Sequence, residues 1–192
     1  MRVKNLMIGI VSSIAIFTLT ACGADNKEIS PAEDTTASKN VHTDHSDMNH
    51  SGSGEVPEDL KKAENPTYKI GSQAIIEADH MKGMKGAKAT IVGAYNTTAY
   101  VVSYTPVTGG ETVKNHKWVI QEEIKEAGNK PLKLGTKVTL EADHMEGMKG
   151  ATAEIESAEK TTVYMIDYMP TTGGDEVKNH KWVTESELSP IK

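Results

Sequence analysis

Cysteine is almost absent. The 192 residues contain one, Cys22, which excludes an intramolecular disulfide and a Cys-rich zinc site. Aromatic residues make up 5% of the chain, and its single Phe, Phe17, lies in the first segment. Any core must therefore be small and built from Val, Ile, Ala, Tyr and Trp. A basic surplus is missing too: 21 Lys+Arg face 27 Asp+Glu, a formal charge of −6. That is the wrong sign for a protein that binds nucleic acid by neutralising phosphates. No Ser/His/Asp or Cys/His arrangement can be assembled, so an enzyme is not expected. Glu77, Asp79, Glu141 and Asp143 are duplicated carboxylates that suit strand ends as well as acid–base work. Against these shortages stand nine Met and seven His.

The first segment reads as an address. Arg2 and Lys4 precede an apolar run from about Leu6 to Leu19. It is too short and too rich in Ser and Thr to span a bilayer comfortably, and no stop-transfer pattern follows. Leu19-Thr20-Ala21-Cys22 is similar to the lipobox of bacterial lipoproteins, in which the Cys is lipidated and becomes the mature N-terminus. On this reading residues 1–21 are a lipoprotein signal peptide and Cys22 is a stable membrane anchor. Removing 1–21 takes away Arg2 and Lys4 and leaves a still more acidic chain.

Residues 22–66 carry few large apolar groups and many Ser, Thr, Asp, Glu and Asn. Such a stretch buries too little surface to offset chain entropy, so a disordered, lipid-anchored tether is expected. Within it, Val41-His-Thr-Asp-His-Ser-Asp-Met-Asn-His50 brings His42, His45, Met48 and His50 into ten residues. Short His-rich tracts are compositional signals of metal binding, here without a scaffold to make it tight or selective.

The remainder is one unit written twice. At an offset of 64, residues 69–128 align without gaps on 133–192 with 31 identities in 60 positions. The shared motifs are Glu-Ala-Asp-His-Met (77–81, 141–145), Gly-Met-Lys-Gly-Ala (83–87, 147–151), Thr-Gly-Gly (108–110, 172–174) and Val-Lys-Asn-His-Lys-Trp-Val (113–119, 177–183). Val138, Leu140 and Ala142 alternate, as do Ala151, Ala153 and Ile155, and Thr162–Tyr168 is rich in β-formers. Short strands separated by turns such as Pro170-Thr-Thr-Gly-Gly174 predict an all-β fold: two tandem small SH3-like (KOW-like) β-barrel repeats, 67–128 and 129–192, after the tether. Tyr100, Tyr104, Tyr164, Tyr168, Trp118 and Trp182 are the expected core.

Every His outside the tether falls in a duplicated motif: His80, His116, His144 and His180. Four Met do the same: Met81, Met84, Met145 and Met148. Imidazole suits copper and zinc, and thioether sulfur favours Cu(I). A loop bent at Gly83 would present His80, Met81 and Met84 together, with His116 arriving from a distant strand as a fourth ligand. The plainer alternative is that these Met plug a barrel end and that His116 hydrogen-bonds within the fold.

The lipobox, the His/Met tract and the paired Asp-His-Met-x-Gly-Met-Lys-Gly-Ala and Asn-His-Lys-Trp-Val motifs resemble the YdhK-like lipoproteins. That group includes surface copper-resistance lipoproteins of Gram-positive bacteria. The resemblance covers nearly the whole mature chain. It implies Cu(I) binding at the outer face of the cell membrane and protection against copper, with a copper exporter or oxidase as the expected partner. A different reading makes the repeats a cell-wall or peptide-binding module without metal, in which Tyr95, Tyr104 and Trp118 line an exposed groove.

Overall fold

A computed structural model describes residues 51–192. The expected signal segment, Cys22 and the tract with His42, His45, Met48 and His50 lie outside the described residues. In chain order the strands are β1 (Lys61–Lys62), β2 (Gln73–Ile76), β3 (Lys88–Tyr104), β4 (Val113–Ile120), β5 (Lys137–Thr139), β6 (Thr152–Tyr168), β7 (Val177–Thr184) and β8 (Leu188–Pro190). The only helical pieces among the described residues are one-turn 3-10 segments, Gln121–Glu123 and Glu185–Glu187. The protein is all-β with an internal repeat, as its sequence predicts.

The two 17-residue strands β3 and β6 organise everything else. They pair antiparallel along their full length, from Ala89 opposite Tyr168 to Tyr104 opposite Ala153. The separate short strands expected at 151–155 and 162–168 are thus one strand. The intervening Glu156–Thr161 contains no Gly or Pro to break extended backbone, and β3 pairs it throughout. Thr97 faces Thr161, and these two are repeat equivalents. The sequence offset and the strand register therefore share one pseudo-twofold axis, between Thr97 and Thr161.

This register corrects the expectation of two self-contained barrels. Each apolar core draws on both repeats. The first joins Ile76, Met84, Ala87 and Ile91 to Tyr164, Ile166, Tyr168 and Val183. The second joins Tyr100, Val102, Tyr104 and Val119 to Leu140, Met148, Ala153 and Ile155. The sheet is open, running β5-β6-β3-β2-β8, with β1 and β4 also on β3 and β7 on β6. Neither 67–128 nor 129–192 closes a barrel on itself, because the long strand of each leaves its own lobe halfway and finishes in the other. A third cluster sits between the lobes, where Trp118 and Trp182 meet Tyr95, Ile120, Val163 and Met165.

Residues 51–66, expected as part of the unstructured tether, pack on the sheet. Val56 and Leu60 join the central cluster. β1 pairs with β3 at Tyr95 and Asn96, and the Ala63 amide donates to the Ala94 carbonyl.

Candidate metal centre

The Asp-His-Met-x-Gly-Met loop follows β2 in the first repeat and β5 in the second. It is a tight turn: the Met84 amide donates to the Met81 carbonyl at 3.1 Å, and Met148 to Met145 likewise at 3.1 Å. The glycine between them is demanded twice over. Gly83 has φ +80° and Gly147 φ +73°, a region that L side chains rarely adopt. A Cβ on Gly83 would also stand 2.5 Å from Thr172 Oγ1, and one on Gly147 2.6 Å from Thr108 Oγ1. Each loop therefore packs under the Thr-Gly-Gly turn of the opposite repeat. The contact is sealed by the Thr171 amide on the Gly83 carbonyl (2.8 Å) and the Val107 amide on the Gly147 carbonyl (2.9 Å).

The methionines divide. Met84 and Met148 are completely buried within the two cores, while Met81 and Met145 are partly buried against the same cores. Met84 and Met148 thus do the packing that the plainer alternative assigns to them.

The histidines divide as well. His80 and His144 each direct Nε2 at a carboxylate. His80 lies 2.7 Å from Glu187 Oε1 and His144 2.8 Å from Glu123 Oε1. The other carboxylate oxygen takes an indole N–H: Trp118 Nε1 donates to Glu187 at 2.7 Å, and Trp182 Nε1 to Glu123 at 3.0 Å. The backbone adds a third donor, the Thr184 amide to Glu187 (3.0 Å) and the Ile120 amide to Glu123 (3.2 Å). The 3-10 turn after each Trp-Val places the Glu where it reaches back to the turn's first residue. In both clusters the carboxylate belongs to one repeat and its His and Trp to the other.

Burial pushes the Glu123 carboxyl up. The charge and hydrogen bond of His144, then Trp182 and the Ile120 amide, outweigh it and hold Glu123 below the usual carboxylate range. Glu187 is held down in the same way, burial being outweighed by the His80 hydrogen bond and charge, Thr184 and Trp118. An ionised carboxylate only accepts, so Nε2 of each His carries the hydrogen. Nδ1 of His80 and Nδ1 of His144 are buried and have no hydrogen-bond partner among the described residues.

His116 is not confined to its own repeat's His80: it feels the His80 charge but its nearest ring partner among the site histidines is in the other repeat. β4 lies along the second half of β3, which belongs to the second lobe, so His116 comes to rest near His144. Their ring centroids are 6.3 Å apart and tilted by 38°. Tyr104 stands edge-on to His116 at 5.9 Å, as Tyr168 does to His180 at 5.9 Å. Desolvation, reinforced by repulsion from His144 and His80 and only partly offset by Glu123, lowers His116 to a pKa of about 3. Its ring is neutral at physiological pH, and its Nε2 is buried without a hydrogen-bond partner.

Among the described residues no three His, Cys, Asp or Glu converge on one point. Buried imidazole nitrogens beside thioether-bearing loops fit a soft ion that accepts few ligands.

Glu123 and Glu187 were not among the residues singled out by sequence. A signal for them exists: between Val119 and Gly128, and between Val183 and Lys192, theirs is the single identity of the two repeats. Nothing in the sequence indicates that His, Trp and Glu combine across repeats, because that follows from the β3–β6 register.

Fold and site together define a duplicated all-β protein whose repeats exchange half of each long strand and complete each other's His–Glu–Trp clusters. The chain belongs to the family described as "Protein of unknown function (DUF1541)", whose model matches it twice, at 70–121 and 134–185. It is 60% identical over 189 residues to "Uncharacterized protein YdhK" of Bacillus subtilis (strain 168), covering 98% of this chain and 91% of that one. The crystal structure of the B. subtilis DUF1541 family protein ydhK matches with a TM-score of 0.74 at 69% identity, over 77% of this chain and 100% of the other. The solution NMR structure of the B. subtilis ydhK C-terminal domain matches with a TM-score of 0.61 at 72% identity, over 64% of this chain and 92% of the other.

Proposed function

We propose that this protein is a lipid-anchored, extracytoplasmic copper-binding protein that sequesters Cu(I) or hands it on, and so contributes to copper resistance. The observation that carries the reading is the pair of buried, partnerless Nδ1 atoms on His80 and His144, each ring fixed from behind by a buried carboxylate. Histidines that ligate metals almost always donate their other ring N–H to a carboxylate or carbonyl, which fixes tautomer and orientation and raises ligand basicity. A purely structural His would leave a buried polar atom unsatisfied, at a cost of about 1–3 kcal/mol each.

In this reading His144 and His116 serve the second lobe, and His80 and His180 the first. Met81, Met84, Met145 and Met148 supply soft thioether sulfur from the adjoining turns. Glu123 and Glu187 hold the ring N–H, and Trp118 and Trp182 hold the carboxylates while excluding water. Copper would supply the affinity for soft donors; the chain holds its imidazoles oriented and largely out of water. Copper itself, the anchor at Cys22, the auxiliary role of His42, His45, Met48 and His50, and an exporter or oxidase as receiver rest on donor chemistry and on the sequence resemblance.

The cell-wall or peptide-binding alternative needs Tyr95, Tyr104 and Trp118 at the surface, and these are only 7%, 2% and 6% exposed. Competitive titration of the full chain with Cu(I) against a chromogenic chelator tests the proposal. Binding abolished by His80→Ala with His144→Ala supports it; equal binding by that double variant refutes it.

A further inference from the structure

The two sites are related by the repeat, yet their surroundings differ on one side. Asn115 and Asn179, each just before a conserved-in-repeat His, have the same left-handed backbone, φ 52° and 50°. Both amides are held by the equivalent side chain of the neighbouring long strand: Asn115 N donates to Ser103 Oγ at 3.2 Å, and Asn179 N to Asp167 Oδ1 at 2.7 Å. In the first repeat Lys114 and Asn115 are exposed and His116 is partly so. In the second, Asn179 is half-buried and His180 is buried.

The difference is residues 51–55. The Gly52 amide donates to the Lys178 carbonyl (2.8 Å), and the Lys178 amide to Ser51 Oγ (3.0 Å). Asn179 Nδ2 donates to the Gly52 carbonyl (3.3 Å), and Lys181 Nζ to the Glu55 carbonyl. Gly52 fits so closely that a Cβ there would lie 2.7 Å from the Asn179 carbonyl oxygen. Beyond this contact the segment is fastened by Val56 and Leu60 in the central cluster. Among the described residues this is the one segment laid on either of the two equivalent strands, and it lies on β7.

We infer that residues 51–55 are a strap over β7 that shields His180 from solvent, while its repeat equivalent on β4, His116, stays partly exposed. The inference rests on the proposed metal-binding reading for its functional meaning, but the strap itself is testable without metal.

The test uses the full chain and Gly52→Val, whose side chain has no room against Asn179. Hydrogen–deuterium exchange at the imidazole Cε1–H, read by mass spectrometry on metal-free protein, reports solvent access to each His. Gly52→Val should speed exchange at His180 about tenfold, equivalent to ~1.4 kcal/mol of lost closure, and leave His116 unchanged. Lys181→Met, which deletes the Lys181–Glu55 bond, should act in the same direction and more weakly, and Lys117→Met should have no effect. Unchanged His180 exchange in both strap variants overturns the strap. Faster His180 exchange in protein that binds no Cu(I) upholds the strap and removes the metal-binding reading beneath it.

Discussion

Trp182→Phe isolates the bond that ties one repeat's indole to the other repeat's carboxylate. Trp182 is fully buried, and Glu123, which accepts its N–H at 3.0 Å, is 6% exposed. Phe retains a ring to meet Tyr95, which stands edge-on at 5.8 Å, but has no donor. A hydrogen bond to a charged group is worth about 1.5–3 kcal/mol net. The low end applies here, because the Ile120 amide still serves Oε2 and His144 still serves Oε1. Loss of ring volume adds about 1 kcal/mol, less than the ~3–5 kcal/mol of full aromatic truncation. The expected destabilisation is therefore about 2–3 kcal/mol in a urea melt followed by far-ultraviolet circular dichroism. The decisive quantity is the double-mutant cycle with Glu123→Gln, where partners in one buried network couple by about 0.5–3 kcal/mol. Strict additivity of Trp182→Phe and Glu123→Gln would refute the claim that this bond joins the repeats energetically.

Other outcomes follow from the same structure. Residues 67–128 alone lack Tyr164, Ile166 and Tyr168 of the first core, so that fragment should not fold as a monomer; analytical ultracentrifugation with circular dichroism checks this. Gly147→Ala, at φ +73° against Thr108, should cost about 1–3 kcal/mol from its backbone and more from the clash, and a urea melt of Gly86→Ala, at φ +79° with nothing near a Cβ, gives the backbone part by itself. Stability of the metal-free protein should fall with acid in two windows. His116 titrates at about 3 when folded but near 6.5 when unfolded. The unfolded chain alone therefore takes up that proton as pH drops below 6.5, and stability declines until about pH 3. Glu123 and Glu187, depressed in the fold, add stability above the ordinary carboxylate pKa and lose it as pH falls through their native values. Thermal melts from pH 7 to 3 should show a monotonic decline, with the first window flattened in His116→Ala.

The β character, the repeat and the buried aromatics were legible because each is local: alternation, turn residues and self-similarity need no partner to be seen. Tyr100, Tyr104, Tyr164 and Tyr168 are all buried as the alternation predicts. Long-range pairing was not legible. Whether Thr162–Tyr168 packs with its own repeat or the other depends on the β3–β6 register, and a duplicated sequence satisfies both with the same residues. The same ambiguity placed His116 with His80 when the fold brings it beside His144. It also hid Glu123 and Glu187, whose partners lie 21 to 107 residues away. Of the four loop Met marked as candidate ligands, Met84 and Met148 are core side chains.

The most direct test of the account is a Cu(I) titration under anaerobic conditions of a chain lacking residues 23–50, which keeps the strap and both lobes intact. The account predicts sub-micromolar binding at the repeat sites that persists without the His-rich tract, falls in His144→Ala and again on adding His80→Ala, and weakens in Glu123→Gln while the fold stays intact. Copper binding that vanishes with residues 23–50, or that ignores both histidines, would contradict it.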